Sequence, residues 1–336
     1  MSQNGQTNNN RLHSFIKKTM KRIKNKIFSG ISFVVHYTIP KSKDFVIRKS
    51  AEALIKQRDL EEIYDKESIL KRLTTVHIET RTRCNSLCTF CAANTKDEIR
   101  EDRSMSMETY KKIIDGLAEF DYQRRVSPYC NNEPLMDSNI YDFIAYTRKK
   151  LPNAYIEIKT NGMLLNEKKM EQLFDSGIDS LNINDYQISE KSSKRIHQVY
   201  EQFKETYPGK INFGQQHYDS SRGKINRAGS NPSMESTPEP IPHFCYRPFE
   251  MAIFTVDGTM GACSNDFYLR NNIGNIYNNT FIELFTGERI NDLRKDLLNY
   301  DRSNFEACKK CDYFGLTNDY EFSSFYKYLL PFYYSK

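Results

Sequence analysis

The sequence contains no tryptophan, although it has 22 tyrosines and 21 phenylalanines. That bias points to an AT-rich genome more than to any function. No apolar run approaches the roughly 18 residues that a membrane-spanning helix needs. The longest such stretch, residues 31–39, is too short and contains His36. Nor is there a signal-peptide pattern at the start of the chain. The eight cysteines are therefore expected to ligate metal in a reducing cytoplasm, and a secreted disulfide scaffold is disfavoured. Carboxylates are nearly missing from one arm: residues 11–50 hold eleven Lys or Arg against a single acidic residue, Asp44. The whole chain carries +6, so the rest of it is net about −4. The basic balance belongs to that arm, and no nucleic-acid partner is expected of the body. At 336 residues the chain has room for one large α/β domain and a smaller module.

What is present is organised around Cys84-Asn85-Ser86-Leu87-Cys88-Thr89-Phe90-Cys91. So short a loop brings three sulfurs together without long-range folding. Structural zinc wants four closed ligands, and a simple 4Fe–4S electron carrier also wants four cysteines. Three cysteines leave one iron open to a substrate. A zinc loop with its fourth ligand elsewhere is the other reading of this spacing. The C-x3-C-x2-C pattern with Phe90 before its last cysteine resembles that of the radical S-adenosylmethionine (radical SAM) enzymes. The resemblance implies that Cys84, Cys88 and Cys91 hold a 4Fe–4S cluster, with Phe90 among the cofactor-binding residues. The open iron would chelate the amino and carboxylate groups of S-adenosylmethionine (SAM). Cleavage of the sulfonium would then give a 5′-deoxyadenosyl radical that abstracts hydrogen from an unactivated C–H bond. An external electron donor of flavodoxin or ferredoxin type is implied as well.

Along the chain, residues 1–10 are polar and of low complexity, a composition that favours disorder. Ile16, Met20, Ile23, Ile27 and Ile31 then recur at helical spacing among lysines. This basic amphipathic helix, within residues 14–35, either docks on an anionic membrane surface or acidic partner, or packs its apolar stripe on the protein's own body. A connector and a helix over 52–73 follow. Alternation from Thr75 to Thr82 predicts a strand running into the cysteine loop, as α/β barrels deliver reactive loops. Strands are predicted at 125–129, 155–159, 180–184 and 211–215, with helices at 107–120, 138–150, 167–176 and 189–207. This repetition implies a parallel sheet. The family resemblance implies an α/β fold with a partial (β/α)6 barrel over residues 75–230.

Two strand ends carry the resemblance further. Asn131-Asn132-Glu133-Pro134 stands where the family usually has Gly-Gly-Glu-Pro, which implies that Asn132 and Glu133 bind the SAM amino group. Asparagine replaces both glycines, so the backbone there must tolerate side chains. Thr160-Asn161-Gly162 resembles the family's turn beside SAM and implies a cofactor role for Asn161; an ordinary Asn-Gly turn is the alternative. Arg227, after the last predicted strand, suits a SAM carboxylate or a substrate oxygen, or is a solvated loop arginine. Residues 230–242 are rich in Pro and Ser and read as a linker.

Beyond the linker come Cys245, Cys263, Cys308 and Cys311. A hairpin with Asp257-Gly258 at its turn and a helix over 280–298 lie between them. Four thiolates close around zinc or an iron–sulfur cluster, and spacing alone favours zinc. The order resembles the Twitch form of the SPASM auxiliary module, as found in a radical SAM alcohol oxidase acting on an aminocyclitol. That implies one auxiliary 4Fe–4S cluster in residues 231–315. Cys130 is the cysteine left over: a buried apolar thiol, or the hydrogen-atom donor of an epimerase. Residues 1–74 and the aromatic tail 316–336 are expected as extensions, the tail either covering the barrel or touching a membrane.

The expected function is radical SAM oxidation in the cytoplasm, with peripheral contact at the inner membrane face through the basic helix. By resemblance the substrate is a small molecule, a sugar, aminocyclitol or nucleotide sugar, and the reaction its dehydrogenation. Epimerisation through Cys130, modification of a ribosomal peptide, and a non-catalytic zinc-binding scaffold are the alternatives.

Overall fold

Six parallel strands form the centre of the fold, five of them in sequence order. The computed structural model describes residues 61–313 except 62, 95–99, 188, 216–224, 236–238 and 243. The predicted basic helix and the aromatic tail from Tyr320 lie outside the described residues. Of the helix expected over 52–73, the described part is α1, Lys66–Arg72. Strands β1 (Thr75–Ile78), β2 (Arg125–Ser127), β3 (Tyr155–Thr160), β4 (Ser180–Asp185) and β5 (Ile211–Gln215) pair in parallel in that order.

Local chemistry sets the connecting helices. Helix α2 (Met107–Ala118) starts where the Ser106 side chain accepts from the Thr109 N–H, and it buries Tyr110, Ile113, Ile114 and Leu117. Helix α3 (Ile140–Lys150) packs against α2, with Tyr110 stacked on Phe143 at 4.3 Å between ring centres. Asn166 caps α4 (Glu167–Asp175) and Ser189 caps α5 (Glu190–Phe203) in the same way. Ile156 and Ile158 of β3, Leu181 and Ile183 of β4, and Ile196 of α5 are buried in one core on the helix side. Because side chains alternate along a strand, the residues between them face the other, concave side of the sheet.

The sixth parallel strand is not the successor of β5 in space. After α6 (Arg247–Glu250), strand β6 (Met251–Phe254) pairs with the free side of β1, Thr75 opposite Met251 through Ile78 opposite Phe254. The expected barrel count of six is thus met by a strand that the sequence placed in the auxiliary hairpin. Strands β7 (Thr259–Gly261) and β8 (Asn272–Asn275) extend the sheet antiparallel from β6. At the turn Gly258 has φ +79°, and a Cβ there would come within 2.7 Å of Ile276 Cγ2. The helix expected over 280–298 is two, α7 (Phe281–Thr286) and α8 (Glu288–Leu298), broken at Gly287. The chain there is extended, and a Cβ would sit 2.5 Å from the Glu283 carbonyl oxygen. The short helix α9 (Glu306–Lys309) carries Cys308.

Candidate active site

The carboxyl ends of β1, β2 and β3 meet around one buried carboxylate. Glu133 is 2% exposed. Its Oε1 accepts from Thr160 Oγ1 at 2.6 Å and from the Leu135 N–H at 3.1 Å, and its Oε2 accepts from the Asn161 N–H at 2.8 Å. Burial pushes the Glu133 carboxyl up, and these three hydrogen bonds pull it back. Asn161 in turn donates from Nδ2 to Asn85 Oδ1 at 2.8 Å, with Cys84 Sγ at 3.7 Å. Thr160-Asn161-Gly162 is therefore fastened to the cysteine loop on one side and to Glu133 on the other.

The two asparagines that replace glycine each have a partner. Asn132 donates to Thr80 Oγ1 at 3.0 Å and accepts from the Cys130 N–H at 2.9 Å. Asn131 Oδ1 accepts from Arg227 Nη2 at 2.8 Å. Neither residue has positive φ, so nothing in the backbone requires glycine there. Arg227, Ala228 and Gly229 are the left-handed residues, with φ of +49°, +56° and +74°. This turn aims Arg227 across the site: Nη1 lies 3.9 Å from Cys91 Sγ, and Nη2 also reaches the Ser264 carbonyl at 3.2 Å. Arg227 thus links the first cysteine loop to the residue after Cys263. Phe90 packs against Tyr186, ring centres 5.7 Å apart.

The second set, Cys245, Cys263, Cys308 and Cys311, lines one internal cavity with Pro248, Leu293 and Arg302. Phe267, four residues after Cys263, packs with Ala92 and Ala93 against Cys84 and Cys91, and Arg100 stands 4.2 Å over its ring. The described part of the Pro- and Ser-rich segment docks on the first loop, where Ser233 Oγ donates to the Thr89 carbonyl at 2.6 Å. Cys130 is partly buried between the sets, facing Glu79, Arg100, Arg227 and Cys263; burial pushes its thiol up to about 12.

Below the loops, the concave face of the half-barrel is polar. His77 and Ser127 stand opposite one another on β1 and β2, and Glu157 is opposite Ser180 on β3 and β4. Glu157 accepts from Tyr129 Oη at 2.9 Å and pairs with Arg125 at 3.4 Å. Burial, and then the Arg125 charge, push His77 down to about 3. A base with a lowered folded-state pKa binds fewer protons than it does in the unfolded chain, so it costs stability as pH falls below about 6.5. Stability is expected to drop by up to about 1.4 kcal/mol per pH unit from this one group between pH 6.5 and 5. Urea titrations at several pH values would read this slope, and His77→Gln should remove it; an unchanged slope would mean that His77 is not its source.

Comparison with known families accounts for this arrangement. Residues 78–207 match the radical SAM superfamily, and residues 245–312 match the iron–sulfur cluster-binding SPASM domain. The chain carries a radical SAM domain followed by an SPASM domain. It is 26% identical over 247 residues to the S-adenosyl-L-methionine-dependent 2-deoxy-scyllo-inosamine dehydrogenase of Niallia circulans, covering 72% of this chain and 94% of that protein. The crystal structure of BtrN with AdoMet and 2-DOIA superposes with a TM-score of 0.65 at 24% identity, covering 74% of this chain and 96% of that one. A shorter match, 24% over 118 residues, is to the PqqA peptide cyclase of Gluconobacter oxydans; it covers 35% of this chain and 32% of that protein.

The thiols of these two domains suit iron–sulfur ligation. Backbone N–H groups of Ser86, Asn265 and Tyr313 lie 3.4 Å from the sulfurs of Cys84, Cys263 and Cys311. Asn271 Nδ2 is 3.3 Å from Cys308 Sγ, and Ser86 Oγ is 3.1 Å from Cys88 Sγ. Such donors favour the thiolate form that a metal requires. Burial first, and then the nearby Glu133, Cys91 and Cys88, push the Cys84 thiol up to about 12, so a bound cation is what would ionise it. Among the described residues no three His, Cys, Asp or Glu side chains close around a single ion. A cubane does not ask for that, because each thiolate takes a different iron.

Several residues of this site were not singled out from sequence. Tyr186 faces the three cysteines of the first loop, and its signal was its place just beyond a predicted strand end. Phe267 and Arg100 had none, since the contact between them, and that of Phe267 with the first loop, span more than 150 residues. The polar residues alternating on β3 and β4 were readable in principle as a second face.

Proposed function

We propose that this radical SAM enzyme dehydrogenates an alcohol on a small hydroxyl-bearing ring: a sugar, an aminocyclitol or a nucleotide sugar. The observation that carries the reading is the polar concave wall directly beneath the three-cysteine loop. A substrate with many hydroxyls finds partners there, whereas an apolar one would leave buried polar groups unmatched. The named activity of the Niallia circulans relative, a dehydrogenase of such a ring, supports it.

When bound, the first cluster and SAM supply the radical that removes a hydrogen atom from carbon, and the auxiliary cluster supplies an acceptor for the remaining electron. Cys84, Cys88 and Cys91 would hold the first and Cys245, Cys263, Cys308 and Cys311 the second. Asn132, Glu133 and Asn161 shape the SAM side of the site with Phe90, and Glu133 Oε2 keeps room for one further donor. Arg227 orients the charged end of a ligand while tying Asn131 to Ser264. The alcohol proton leaves through Tyr129 Oη toward Glu157 Oε1. Residues 75–230 act as the radical SAM barrel and 231–315 as the Twitch module, with 1–74 and 316–336 as extensions. A flavodoxin- or ferredoxin-like donor would dock near Leu87, which is 70% exposed on the cysteine loop. We place the enzyme in the cytoplasm, with residues 14–35 as the candidate peripheral membrane contact. No described helix is long and apolar enough to cross a membrane.

Anaerobic reconstitution is expected to give about eight irons per chain. With reductant and SAM it should form 5′-deoxyadenosine and convert a ring alcohol to a product two mass units lighter. A product of unchanged mass in ordinary water that is one mass unit heavier when formed in heavy water would favour the second reading, epimerisation. The position of Cys130 supports that one, because its thiol stays protonated between Arg227 and Cys263. In that case Cys130→Ala would lose product and keep 5′-deoxyadenosine.

A further inference from the structure

The concave wall carries two carboxylate–arginine pairs and one further cation. Glu79 pairs with Arg100 at 2.9 Å, and Glu157 with Arg125 at 3.4 Å. Lys159 lies between them and Asn161 on the same face of β3, because its neighbours Ile158 and Thr160 are buried on the other side. Among the described residues no carboxylate pairs with Lys159, and its recorded contact is with the Tyr129 ring, 5.7 Å away. Directly opposite in the β3–β4 register stands Asn182. The Asn182 Nδ2 atom is buried and has no hydrogen-bond partner among the described residues. Lys159 and an unmatched amide donor therefore occupy paired positions of β3 and β4, one same-face step below Asn161 and the cysteine loop.

We propose that Lys159 and Asn182 form a subsite for an anionic oxygen group of the substrate, a phosphate or a carboxylate. The proposal rests on the dehydrogenase reading for the identity of the ring, and it narrows the substrate class to anionic derivatives. Among the described residues the ammonium has no carboxylate paired to it and the amide N–H no acceptor, so both suit a ligand oxygen bearing negative charge, and phosphate and carboxylate oxygens are such acceptors. The wider wall agrees: Arg125, Arg247 and Lys159 all oppose a positive charge on His77. A substrate bearing an amine at this level would set its ammonium against Lys159. On this basis the chain differs in substrate from its inosamine-oxidising relative while keeping the same chemistry.

Binding to the reconstituted full chain with SAM present tests this, using four ring probes in calorimetry. They are myo-inositol 1-phosphate, glucuronate, neutral myo-inositol and cationic glucosamine. One or both anionic probes are expected to bind about tenfold or more tighter than myo-inositol, with glucosamine weakest. Which anionic probe wins identifies the group. Lys159→Gln should bring that probe to the level of myo-inositol without moving SAM affinity, and Asn182→Ala should give a smaller loss. Equal binding of all four probes, glucosamine matching the anions, or an unchanged ranking in Lys159→Gln would each overturn the subsite. So would a loss that appears in SAM affinity instead, which would assign Lys159 to the cofactor. Turnover is not part of the readout: ranked binding without carbonyl product would count against the dehydrogenase reading and leave the subsite standing.

Discussion

Replacing Cys91 with alanine is expected to take 5′-deoxyadenosine formation to the level of a blank without enzyme. The first loop offers three sulfurs, so losing one leaves two protein ligands where cluster retention needs three. Cys91 is also the sulfur that Arg227 approaches and, with Cys84, one that Phe267 packs against. Cys84→Ala and Cys88→Ala should behave alike. Cys308→Ala and Cys311→Ala should instead keep much of the SAM cleavage and lose the carbonyl product. Iron and sulfide content, 5′-deoxyadenosine and product are measured on the same samples. Equal loss of cleavage and product in both sets would make the second site structural and remove its redox role.

Glu133→Ala should lower stability by about 3 kcal/mol. Its carboxylate receives two backbone N–H groups and one hydroxyl inside the protein, and each buried donor left unmatched costs about 1–3 kcal/mol. Relief of the buried charge offsets part of that sum. Glu133→Gln should cost less but not nothing, because its NH2 group must face a donor on one side. The loops after β2 and β3 would then part, so SAM affinity should fall with stability. Denaturation midpoints and SAM binding on anaerobic samples read both. A variant that keeps full stability and loses only SAM affinity would show that Glu133 acts on the cofactor directly and does not fasten the loops.

Much of this was legible in the chain because it is local. Three cysteines within eight residues, strand–helix alternation with capping residues such as Ser106 and Ser189, and the C-x2-C of Cys308 and Cys311 depend on near neighbours. The parts that were not legible depend on pairing across the fold. Nothing near residues 251–254 says that this strand lies beside β1, because a short apolar run is compatible with any partner. β8 was missed because Asn272 to Asn275 has the composition of a turn. The break at Gly287 hides in a sequence whose apolar spacing continues across it. The asparagines at 131 and 132 looked like a departure from a glycine motif, and the partners that give them work, Thr80 and Arg227, are remote in the chain.

The pairing of β6 with β1 has a mechanical result. A main-chain ladder, stiffer than any linker, runs from the strand that presents the first thiol loop to the strand between Cys245 and Cys263. Electron hops between the two centres would then cross a span fixed by the scaffold, and their speed would follow the driving force and not the swing of a hinge.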